Sequence, residues 1–74
     1  MATVRDFQID ELNAVRPHEE VDAIVRCIEC DGEKLVQIDT YGRATREQPN
    51  KLSQTIRLNK SAFEKLMKVG ASHF

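Results

Sequence analysis

Apolar and polar side chains alternate most cleanly over Lys34–Tyr41. There Val36, Ile38 and Thr40 point one way, and Leu35, Gln37, Asp39 and Tyr41 the other. The same period recurs over Gln54–Leu58, with Ile56 and Leu58 on one face and Thr55 and Arg57 on the other. Between them runs GRATREQPNKLS, whose Gly42, Pro49 and Asn50 interrupt any regular element. The pattern predicts a two-stranded ribbon with a long basic loop at its tip.

Upstream, Val21–Cys30 is rich in β-branched residues and apolar on both faces, as expected of a central strand covered on each side. Asp31-Gly32 follows at once and predicts a tight hairpin into Lys34–Tyr41. Downstream, a helix is expected, capped by Asn59 or by a Ser61/Glu64 capping box. Ala62, Phe63, Leu66, Met67 and Phe74 recur near helical spacing as one apolar stripe, and Gly70 is expected to end or fray the helix. The first twenty residues carry weaker signals. Thr3–Ile9 alternates loosely enough for an edge strand, and Asp10–Arg16 for one helical turn stopped by Pro17. The chain thus divides into an N-terminal element over 1–20, antiparallel strands over 21–58 and a helix over 59–74, all in one α+β domain.

A chain of 74 residues is short. It buries only about 60% of the surface its unfolded form exposes, so a dimer sharing a sheet edge or a helix face would make good the shortage. Charge is uneven. Residues 1–33 hold Arg5, Arg16 and Arg26 against nine acids, whereas 34–74 hold eight Lys or Arg against Asp39, Glu47 and Glu64. The basic half suggests a polyanion partner, or simply two halves that attract each other. No apolar run is long enough to cross a membrane, and charges stand where a signal peptide needs its apolar segment. The expected compartment is cytoplasmic, with both cysteines reduced.

Candidate chemistry is sparse. Cys27 and Cys30 form a lone CxxC on a strand, where positions three apart face opposite sides, and only His18 and His73 are available as further zinc ligands. No metal or cofactor is expected. No nucleophile–base pair or phosphate-cradling glycine loop is visible, so the chain reads as a binder and not an enzyme.

The run VQIDTY, the basic proline turn QPNKLS, the short strand TIRL and the capped helix NKSAFEKL together resemble the positive-cofactor-four family of transcriptional coactivators. The likeness spans about Val21–Val69. The resemblance implies a curved antiparallel sheet of three to four strands followed by a C-terminal helix, and a homodimer that binds single-stranded DNA in basic channels. On that reading Lys34, Arg43, Arg46, Lys51 and Arg57 supply charge to phosphates, and Tyr41 stacks on bases. The function implied is an accessory factor in transcription or DNA metabolism. Asp39, on the Tyr41 face, is expected to put a carboxylate in that groove and repel phosphate. It favours the alternative, a protein-interaction module or small regulator that uses a strand edge or the acidic N-terminal half.

Overall fold

Asp31 and Gly32 lie at φ of 52° and 79°, so both central residues of the turn are left-handed. That twist matches the strands on either side, and a short polar residue followed by glycine tolerates it best. The turn joins β2 (Ala23–Cys30) to β3 (Glu33–Tyr41), pairing Cys30 with Glu33 and, at the far end, Ala23 with Thr40. A computed structural model of the chain describes residues 1–42 and 52–74. The basic loop predicted over Arg43–Lys51 lies outside the described residues.

β4 (Leu52–Leu58) pairs antiparallel with β3, and β1 (Ala2–Val4) runs parallel to β4, giving the order β1-β4-β3-β2. The sheet is therefore mixed and open. The two antiparallel pairings match expectation and β1 is an edge strand as expected, but it runs parallel to β4 in a sheet expected to be antiparallel. Expected over Thr3–Ile9, that strand ends at Val4, and Asp10–Arg16 forms no helical turn. β2 is an edge strand and not a central one, and Ile28 is its only residue that is not exposed.

The α+β arrangement is completed by α1 (Lys60–His73), which packs against β3 and β4. Asn59 caps it: its side-chain oxygen accepts from the Ala62 amide at 2.9 Å. Ser61, the other candidate, instead donates to Asn59 and to the Arg5 carbonyl. Gly70 does not stop the helix. The helix continues to His73, and the Phe74 amide closes the last turn on the Gly70 carbonyl at 2.9 Å. One glycine costs only about 1 kcal/mol in a helix, and the turns on either side carry it.

Register sorts the sheet into two faces. One carries the rows Val25–Ile38–Ile56–Ala2 and Cys27–Val36–Leu58–Val4, all apolar or thiol. The other carries Arg26–Gln37–Arg57–Thr3 and Ile24–Asp39–Thr55, with Tyr41 beyond them on β3. Buried apolar side chains are few among the described residues: Leu35, Leu58 and Ala62. Leu58 lies in the apolar row and Leu35, paired with Ile28, on the polar side beyond Gln37, at the end of the sheet from which α1 starts.

Candidate nucleic-acid interface

On the polar face the three long strands are tied together by one side-chain network. Asp39 lies at its centre, 4% exposed. Thr55 donates its hydroxyl to one carboxylate oxygen at 2.7 Å, and the Gln37 amide donates to both oxygens at 3.1 and 2.9 Å. Arg26, reaching across from β2, donates to the second oxygen and forms an ion pair with it. A second Arg26 bond runs to the Tyr41 hydroxyl at 3.3 Å. On the β4 side, Arg57 donates through Nε to the Gln37 carbonyl oxygen at 2.8 Å.

The electrostatics follow from this geometry. Hydrogen bonds from Thr55 and Gln37 favour the ionised carboxylate, and with the Arg26 charge they hold Asp39 below the usual carboxylate range against the opposing effect of desolvation. Asp39 therefore does not present a bare anion to the groove. Its lone pairs are occupied from β2, β3 and β4, and its charge is matched by Arg26. The expectation that it would repel phosphate is corrected on this point: the carboxylate is a buried anchor for a cation. Arg26 in turn keeps 43% of its side chain exposed. Arg57, a half-buried residue, commits its Nε to Gln37. Two guanidinium groups thus flank Gln37, on strands whose backbones lie about 10 Å apart.

The sequence candidates separate accordingly. Tyr41 and Arg57 share the polar face. Lys34 pairs in register with Glu29 on the opposite face, so the sheet does not bring it together with them. Arg43, Arg46 and Lys51 lie outside the described residues. Arg26 was missed, although its signal was present: counting back from the two-residue turn pairs it with Gln37, diagonal to Asp39. A register shift between Thr40 and Tyr41 marks a β-bulge against β4 beside the aromatic ring. Such bulges raise the local twist and re-aim side chains.

Other chemistry finds little support here. Cys27 and Cys30 are both exposed and free, and alternation puts them on opposite faces. No group of three or more His, Cys, Asp or Glu among the described residues is placed to hold a metal ion. No described helix is long and apolar enough to cross a membrane. Comparison with known proteins finds no matching family, no matching curated protein and no matching solved structure.

Proposed function

We propose that the polar face of the sheet binds single-stranded nucleic acid, in the manner of an accessory factor in transcription or DNA metabolism. The observation that carries this reading is the pair Arg26 and Arg57, held in place by Asp39 and Gln37 and joined by Tyr41 on an accessible surface. Guanidinium groups fixed before binding lose less rotamer freedom when they meet a phosphate. A tyrosine ring beside them offers a base a stacking platform without demanding a particular sequence. A strand crossing β2, β3 and β4 would meet one arginine on each side and the ring along β3.

The test is fluorescence anisotropy of a labelled oligothymidylate titrated with protein at rising salt. Each phosphate neutralised on a single strand contributes about 0.7 to the slope of log affinity against log salt. Replacing Arg26 and Arg57 by Ala should therefore reduce the slope by about 1.4. Absence of binding at low salt sinks the reading. The alternative, a protein-interaction module, draws on the exposed edge of β2, which offers unpaired backbone groups to an incoming strand. Capture of an extended peptide with no affinity for oligothymidylate would mark that outcome.

A further inference from the structure

We infer that the hollow between β1 and β4 on the polar face is a ribonucleotide subsite, where Arg57 meets a phosphate and the Thr55 hydroxyl accepts a hydrogen bond from the 2′-hydroxyl of the same nucleotide. The inference rests on the nucleic-acid reading of that face and adds to it the sugar that the face selects. The hollow has a volume of about 270 Å³ and is lined by Met1, Ala2, Thr3, Thr55 and Arg57. Register places it: Thr3 pairs with Arg57, and Thr55 lies two residues back along β4 on the same face. It adjoins the network around Asp39 and continues the line that runs from Arg26 through Gln37 to Arg57.

The state of the Thr55 hydroxyl decides what fits. Its one proton goes to Asp39 at 2.7 Å. An ionised carboxylate can only accept, and the hydrogen bonds and charge around Asp39 favour the ionised form. The proton is therefore committed, and the Thr55 oxygen offers the hollow lone pairs alone. A phosphate oxygen placed there would meet another acceptor, so a donor is required. Arg57 is the opposite case. Its Nε is spent on Gln37, and its Nη groups, which bond nothing among the described residues, can only donate. Thr3, opposite Arg57, adds a hydroxyl that can turn to donate to the same phosphate.

Spacing selects the sugar over the base. Thr55 and Arg57 are two residues apart on one strand, about 7 Å along it. In a ribonucleotide the 2′-hydroxyl and the 3′-phosphate stand on adjacent ring carbons, so one unit reaches both side chains. The donors of a base edge lie across the ring system from the phosphate, beyond that span. Deoxyribose carries no hydrogen-bonding group at this position. Thr55 is only 8% exposed, so once a nucleotide covers the hollow no water replaces the missing hydroxyl. An acceptor left unpaired in that way counts against DNA.

The test is fluorescence anisotropy with three labelled oligomers of one length: uridylate, deoxyuridylate and 2′-O-methyluridylate. Uridylate should bind about 2- to 10-fold more tightly than either of the others, the worth of one hydrogen bond at one occupied subsite. The methyl ether keeps an oxygen at the position and removes its proton, so it should fall with the deoxy chain. Thr55→Ser should keep the gap, and Thr55→Val should close it. Because Thr55→Val also unties Asp39 and can unfold the chain, the three-way comparison on the unaltered sequence decides. Equal affinity for uridylate and deoxyuridylate overturns the subsite and leaves the nucleic-acid reading standing. Equal affinity for uridylate and its methyl ether overturns it too, since sugar pucker and not a donated proton would then be selected. Affinity for none of the three removes the reading on which the subsite rests.

Discussion

The two faces of this sheet are built from the same four strands and solve opposite problems. The polar face is finished: Asp39, Gln37 and Thr55 lock to one another and fix Arg26, and no buried side-chain nitrogen or oxygen among the described residues lacks a partner. The apolar face is unfinished, with Val25 and Ile56 open and Leu66 and Met67 of α1 exposed. The difference shows that polar groups can be satisfied pairwise within three strands, because hydrogen bonds are short and directional. Apolar burial needs a second layer of the right area, and the described residues provide one sheet and one helix.

The largest blow to this contrast is Leu58→Ala. Leu58 is 2% exposed and anchors the one corner where the apolar face is closed. Truncation there should cost about 2–5 kcal/mol in urea unfolding. Ile24→Ala, on the polar face at 44% exposure, should cost far less. Equal losses would mean that the two faces do not differ in what they stabilise. Next in size is Tyr41→Ala, which should remove about 1–3 kcal/mol of oligothymidylate affinity while leaving the unfolding midpoint nearly unchanged. Tyr41→Phe, which keeps the ring and loses only the bond to Arg26, should retain most of it.

A smaller effect belongs to neither face. Asn59→Ala removes the cap of α1 and should lower stability by about 1 kcal/mol. Asn59→Asp should restore most of that loss in the same assay. The finest probe is pH. Asp39 is depressed below its ordinary value of 3.8, so its contribution to stability is whole above that value and is lost as pH falls through the lower, folded one. Acid unfolding followed by circular dichroism should be less steep in Asp39→Asn, and any oligothymidylate affinity should fall because Arg26 loses its anchor. An unchanged acid limb would remove Asp39 from this account.

Much of the architecture was legible in the residues. The Asp31-Gly32 turn fixed the β2–β3 register outright, because only a few residue pairs accept two left-handed positions. The alternation of Gln54 through Leu58 predicts β4, and Asn59, one of two candidate caps, marks the start of α1. The loose alternation of Thr3–Ile9 does point to an edge strand, but β1 is only Ala2–Val4, and a parallel partner more than fifty residues away leaves no local mark on the sequence. β2 was placed at the centre because both its faces look apolar. Its composition reflects one face that stays uncovered in the single chain and another where Ile24 and Ile28 flank Arg26. Arg26 itself was hidden for that reason: read alone it is a charge on an apolar strand, and only the register across the turn shows the carboxylate it serves. The sequence shows the charge of Asp39 and not its neighbours. Burial and partners reversed its meaning.

The parallel pairing of β1 with β4 has a consequence for the order of assembly. Ala2 meets Ile56, so this contact closes most of the chain into one loop, whereas β2 and β3 meet across two residues. Local hairpins form early and such a closure comes late. The same strand also serves the helix: the Asn59 amide bonds the Val4 carbonyl, Ser61 bonds that of Arg5, and Lys65 pairs with Asp6. Detaching the first six residues therefore loosens the start of α1 as well. Among the paired elements, β1 and the start of α1 thus form a single opening unit, the last to dock.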